Sequence, residues 1–101
     1  EKKMKESQLE KKLKEAVEDY GGKCLKFVSP GMRGVPDRIC LFPNGKIAFV
    51  ETKVAGGIIS PLQRKCMNEL KRLGFFVTVV DYPDQIWMVI HDMLHQGVIP
   101  K

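Results

Sequence analysis

The chain has 101 residues, 44% hydrophobic and 29% charged, with 17 Lys and Arg against 12 Asp and Glu for a formal net charge of +5. That size suits one domain and that balance is ordinary for a folded globular chain, so wholesale disorder is excluded. No apolar run approaches the ~20 residues a membrane helix needs, and the Glu1-Lys2-Lys3 start has no leader pattern.

Residues 1–5 are Lys-rich and expected to fray. From Ser7 to about Tyr20, the residues Leu9, Leu13, Ala16, Val17 and Tyr20 recur at helical spacing, which predicts an amphipathic helix. Gly21-Gly22 stops it, because glycine takes the left-handed cap conformation without steric penalty. Lys23–Val28 reads as a short strand and residues 29–36 as a loop, on their Ser, Pro and Gly content. Two strands follow, Asp37–Phe42 and Lys46–Val54, joined at Pro43-Asn44-Gly45, which is a hairpin signal. Ala55-Gly56-Gly57 breaks the second. Ser60-Pro61-Leu62-Gln63 opens a helix: Ser60 caps, Pro61 suits the first turn and Gln63 completes a capping box. Leu62, Cys66, Leu70 and Leu73 form its apolar stripe, and Gly74 ends it. Phe75–Val80 reads as an apolar strand buried on both faces. Asp81-Tyr82-Pro83-Asp84 opens a last helix, packed through Ile86, Trp87, Val89, Ile90, Met93 and Leu94 and closed by Gly97.

The order α-β-β-β-α-β-α contains one strand–helix–strand unit, which should make a parallel crossover. The expectation is an α/β fold in one domain, residues 1–101, with a mixed sheet flanked by helices. Cys24, Cys40 and Cys66 are odd in number, widely spaced and without a CxxC. They read as buried thiols, consistent with a reducing, cytoplasmic setting. The basic balance raises the odds of a polyanionic partner.

Chemistry concentrates at Pro36-Asp37, Glu51-Thr52-Lys53 and Gln63. Residues i and i+2 of a strand share a face, so Glu51 and Lys53 project together from the end of an apolar strand. The hairpin register decides whether Asp37 joins them. A two-residue Asn44-Gly45 turn would oppose Asp37 to Thr52 and put Asp37 and Glu51 on opposite faces. A three-residue Pro43-Asn44-Gly45 loop, with Gly45 left-handed, opposes Asp37 to Glu51. Apolar patterning admits both, and a functional pair requires the second. Two opposed carboxylates repel, and a hard divalent cation such as Mg²⁺ or Mn²⁺ would relieve them. Lys53 beside that ion would assist formation of hydroxide or position the attacking water. The combination suits metal-assisted hydrolysis of a phosphodiester.

Pro36-Asp37…Glu51-Thr52-Lys53 is the PD-(D/E)xK pattern. The wider set is more specific: Gly21-Gly22, Lys26-Phe27, Gly34-Val35-Pro36-Asp37-Arg38, Phe49-Val50-Glu51-Thr52-Lys53, Ser60-Pro61-Leu62-Gln63, Leu70, Leu73-Gly74 and Val77. Over about residues 6–92 it resembles the VRR-NUC (virus-type replication-repair nuclease) domain, in its stand-alone phage and bacterial form. The resemblance implies a restriction-endonuclease-like core and an Mg²⁺- or Mn²⁺-dependent, structure-selective DNA endonuclease. Its stand-alone members resemble Holliday-junction resolvases acting as homodimers. Cleavage of flaps or other branched DNA, and a non-catalytic DNA-binding module on the same fold, are the alternatives; action on RNA has no support in the residues. By position, Asp37, Glu51 and the Thr52 backbone carbonyl match the metal ligands and Lys53 the catalytic lysine. Gln63 matches a helix residue reaching toward the site. Glu10 matches an acid on the first helix, with Glu6 its competitor. Lys26 matches a lysine facing DNA or the site. Thr52 stands where an apolar residue is frequent, and its side chain is expected to point away from Glu51 and Lys53 without consequence.

Blander roles compete. Asp37 suits a turn. Ser7-x-x-Glu10 is itself a capping box, and Gln63 is the third helical residue after Ser60. Arg33 and Arg38 read as surface charges able to contact phosphate. His91 and His95 lie one turn apart but lack an accompanying acid motif, and read as surface residues. The apolar last helix, with Ile86, Trp87, Met88 and Met93, is a candidate dimer interface.

Overall fold

The structure, a computed structural model, describes residues 4–95. Its elements are α1 (Glu6–Asp19), β1 (Lys23–Lys26), β2 (Arg38–Phe42), β3 (Lys46–Thr52), α2 (Pro61–Arg72), β4 (Phe76–Val80) and α3 (Gln85–His95). The order is the one predicted, with each strand shorter at one end by a residue or two. The strands lie as β1-β2-β3-β4, the first three antiparallel and β3–β4 parallel across α2.

Alternation along β3 builds two cores. Ala48 and Val50 join Leu9, Leu13 and Val17 of α1 and Ile86, Val89, Ile90 and Met93 of α3 on one face. Ile47 and Phe49 join Met67 and Leu70 of α2 on the other. Cys24 and Cys40, directly paired across β1 and β2, are buried with their sulfurs 3.7 Å apart. Cys66 is buried as well.

Several expectations change. The first helix begins at Glu6, and Gln8 rather than Glu10 returns a cap bond, accepting the Lys5 N–H at 3.0 Å. Met4 packs against the α1–α3 core, so order reaches into the stretch expected to fray. Tyr20 is exposed as the C-cap residue instead of closing the apolar stripe. In α2, Met67 and Cys66 are buried while Leu62 and Leu73 sit at its exposed ends. β4 touches both cores, but as an edge strand it buries only Val77 and Val80. Trp87 is 61% exposed and meets Tyr20 edge-on, with ring centroids 5.7 Å apart. Leu94 is also exposed. Gly97 lies outside the described residues.

The hairpin adopts the three-residue register: Phe42 opposes Lys46 and Arg38 opposes Val50. Gly45 is left-handed at φ 72°, as that loop requires. Asn44 is left-handed too, at φ 68°, a conformation Asn tolerates better than most residues. One step beyond Arg38–Val50, Asp37 stands across from Glu51.

Candidate active site

The site forms where β3 ends, under the first turn of α2. Glu51 follows Ile47 and Phe49 on the α2 face of the strand and is 1% exposed. Its Oε1 accepts the Asp37 backbone N–H at 3.2 Å. Its Oε2 accepts from the Gln63 amide at 2.9 Å and lies 3.4 Å from the Lys53 ammonium. Burial first, and then the negative charge of Asp37, push the Glu51 carboxyl above its ordinary range, while Lys53 pulls the other way. A carboxylate so confined gains from a cation.

Gln63 does two jobs with one amide. Its backbone N–H donates to Ser60 Oγ at 3.1 Å, and its Oε1 accepts the Ser60 N–H at 2.9 Å. That capping box commits the oxygen, so the NH₂ end is left to face Glu51. Glu would also complete a capping box, but it would set a carboxylate against Glu51. Only Gln supplies both an acceptor for the cap and a donor for the acid.

Asp37 is held at both ends. Its carbonyl accepts from the Phe27 N–H at 2.8 Å, which ties it to the end of β1. Its Oδ2 accepts the Thr52 N–H at 3.0 Å and the Thr52 hydroxyl at 2.8 Å. Neither bond uses Oδ1. The Thr52 side chain does turn to the other sheet face, as alternation requires, yet it has a consequence: it grips Asp37. The signal in the sequence was a hydroxyl at the end of an otherwise apolar strand.

Glycines seat the loops around these groups. Gly34 has φ +82°, and a Cβ there would stand 2.6 Å from the Leu62 carbonyl oxygen and 2.9 Å from the Gln63 nitrogen. The loop before Asp37 therefore lies directly on the first turn of α2. Gly57 packs along the Lys53 stem, where a Cβ would come 3.5 Å from Lys53 Cδ.

The remaining sequence-picked residues lie elsewhere. Glu10 pairs with Arg38, Oε1 to Nε at 2.9 Å, and Arg38 also donates to the Cys24 carbonyl at 3.4 Å. Both side chains are 15% exposed, so Arg38 is no surface charge. It shares its strand face with Cys40 and Phe42, beneath α1, on the side of the sheet away from Glu51 and Gln63. A cation at that depth requires a carboxylate, and Glu10 supplies it. Lys26 and Arg33 are exposed; Arg33 lines a shallow cleft with Leu62 and Lys65. His91 and His95 are exposed neighbours on α3, their ring centroids 4.5 Å apart.

Among the described residues, no group of three or more His, Cys, Asp and Glu gathers as a metal nest. Asp37 and Glu51 are two oxygen donors, which suits a hard cation that keeps several waters and completes its shell with substrate phosphate. A cleft of about 690 Å³ lies elsewhere, between α1 and α3, lined by Lys12, Tyr20 and Trp87 among others. It contains none of the grouped polar residues.

Comparison with known proteins fits this arrangement. Residues 1–82 match the model of the VRR-NUC domain. "Putative nuclease p44" of Acyrthosiphon pisum secondary endosymbiont phage 1 is 47% identical over 81 residues, 80% of this chain and 87% of that protein. A solved VRR-NUC domain superposes with a TM-score of 0.80 at 31% identity, over 85% of this chain and 94% of that one. A second, described as a VRR-NUC domain protein, gives a TM-score of 0.74 at 16% identity over 95% and 93% of the two chains, a likeness of fold alone. With the sequence match, the superposed fold and the paired carboxylates in agreement, the chain belongs to the VRR-NUC family of nuclease domains.

Proposed function

We propose that this nuclease domain is a structure-selective DNA endonuclease that uses Mg²⁺ or Mn²⁺ and acts as a homodimer on four-way junctions in the cytoplasm of a bacterial or phage-infected cell. The observation that carries the reading is the opposition of Asp37 and Glu51, with Lys53 and Gln63 both on Glu51. Asp37, Glu51 and the Thr52 carbonyl would hold the cation. When bound, it would polarise the phosphodiester and favour hydroxide at neutral pH. Lys53 holds a positive charge where the phosphorane becomes more negative and steadies the attacking water. Gln63 keeps Glu51 aimed at the cation, as outer hydrogen bonds do for ligating carboxylates. Glu10 supports the site indirectly: its pair with Arg38 fixes the residue next to Asp37 in the chain.

The exposed Lys26, Arg33 and Lys65 supply phosphate contacts around the site, which position DNA without reading sequence. Of the α3 residues expected at an interface, Ile86 and Met93 are buried in the core with α1, while the exposed Trp87 and Met88, with Tyr82 before the helix, suit burial against a second copy. Two copies bring the two sites that paired nicks across a junction require.

The test is a set of end-labelled substrates, namely a four-way junction, a 5′ flap, a splayed arm and linear duplex. Each is incubated with Mg²⁺, Mn²⁺ or EDTA, with sedimentation equilibrium run in parallel. Symmetric, metal-dependent nicking of the junction by a dimer is the expected result. Cleavage confined to flaps would keep the nuclease and remove the junction role. Junction binding without any cleavage would make the chain a binding module.

A further inference from the structure

We propose that the Thr52 side chain is a positioning residue for cation binding: its hydroxyl pins Asp37 by Oδ2 and leaves Oδ1 to a divalent cation shared with Glu51. This rests on the metal-site reading above. Thr52 is 0% exposed, on the strand face that Ala48 and Val50 give to the α1–α3 core. Valine would fill that position with the same shape. A buried hydroxyl must instead find a partner, and this one finds Asp37 at 2.8 Å.

The geometry around Asp37 explains what the bond does. Its backbone is fixed on both sides, through the Phe27 N–H on its carbonyl and its own N–H on Glu51. Backbone bonds do not set its side-chain torsions, and the charge of Glu51 pushes the carboxylate away. Thr52 opposes that push with two donors from one residue, its N–H at 3.0 Å and its hydroxyl, both on Oδ2. A β-branched side chain has few χ1 choices, so packing of the Thr52 methyl also sets where the hydroxyl points. The acid is held before the cation arrives.

Two variants separate this role from packing. Thr52→Val keeps the shape and removes the hydroxyl. Thr52→Ser keeps the hydroxyl and removes the buried methyl. Mn²⁺ binding is measured calorimetrically without DNA, and melting is followed in metal-free buffer. Thr52→Val should weaken Mn²⁺ binding on the order of 10-fold, the lower end for loss of a ligand's hydrogen-bond support. Thr52→Ser should bind Mn²⁺ nearly as wild type, yet melt below Thr52→Val. The Mn²⁺ concentration for half-maximal cleavage should rise with the Thr52→Val dissociation constant. Equal Mn²⁺ affinity in Thr52→Val and wild type, or a Thr52→Ser affinity as weak as that of Thr52→Val, would overturn the inference while leaving the metal site standing. A wild-type protein that takes up no Mn²⁺ would instead refute the metal reading, and the inference with it.

Discussion

Replacing Gly34 by alanine should destabilise the protein far more than the same change at Gly45, and the difference measures how tightly the Asp37 loop is seated on α2. Both glycines are left-handed, at φ +82° and +72°. An alanine in that conformation costs roughly 1–2 kcal/mol, partly offset by about 0.4–1 kcal/mol from a stiffer unfolded chain. At Gly45 that is the whole effect, since nothing lies within 4 Å of the added Cβ. At Gly34 the Cβ would meet the Leu62 carbonyl oxygen at 2.6 Å and its carbon at 2.7 Å. These are backbone atoms in the first turn of a capped helix, which cannot swing aside like a side-chain tip. Forced overpacking of this kind adds about 1–3 kcal/mol. For a domain near this length, 1 kcal/mol moves the melting point by about 4–8 °C. Thermal unfolding by circular dichroism should therefore place Gly34→Ala at least about 4 °C below Gly45→Ala. Cleavage should fall further than stability, because relieving the clash moves the Leu62–Gln63 peptide and with it the donor on Glu51. Melting points that coincide for the two variants would refute the close packing.

Gln63→Glu keeps the helix cap but replaces a donor 2.9 Å from Glu51 with a carboxylate, so helix content should stay and metal-dependent cleavage should collapse; retained cleavage would deny the amide its role. The raised Glu51 carboxyl has a pH consequence in metal-free protein. Its contribution to stability is complete below the ordinary value of 4.5 and is lost as pH rises through the raised folded value. The melting point of Glu51→Gln should accordingly gain on wild type from mildly acidic to mildly alkaline buffer, and a gap independent of pH would contradict the burial argument. For the Glu10–Arg38 pair, a double-mutant cycle with Glu10→Gln and Arg38→Met should give a coupling of about 0.5–3 kcal/mol by urea unfolding. Zero coupling with weakened DNA binding would return Arg38 to the phosphate contacts.

Most of the fold was legible because the period signals were clean. Leu9, Leu13 and Val17 mark one helix face, and the alternation of Ile47 to Val50 serves two cores. Ends were less legible, because exposure at Leu62 and Leu73 depends on where α2 overhangs the sheet, which spacing cannot report. The grouping of Asp37 with Glu51 depended on a loop-length choice that Pro43-Asn44-Gly45 leaves open on composition. A requirement of function selected the register, and the backbone adopts it. Thr52 and Arg38 were misjudged for one shared reason. In sequence Thr52 reads as a side chain turned away from the site, and Arg38 as a surface charge. Each is instead buried beside a group it must satisfy, Asp37 in one case and Glu10 in the other. Alternation from Cys40 and Phe42 already assigned Arg38 to a core face, and a guanidinium there demands a carboxylate.

The most direct measurement is single-turnover cleavage of labelled branched DNA across a Mn²⁺ titration, with EDTA as the zero point and Lys53→Ala beside wild type. The Lys53 side chain is 18% exposed and supports no core, so the variant should fold. Wild-type cleavage should vanish in EDTA and rise with Mn²⁺, while Lys53→Ala should bind the DNA and cut it at least about 100-fold more slowly. Cleavage that persists in EDTA, or an unchanged rate in Lys53→Ala, would contradict a metal-assisted site built from Asp37, Glu51 and Lys53.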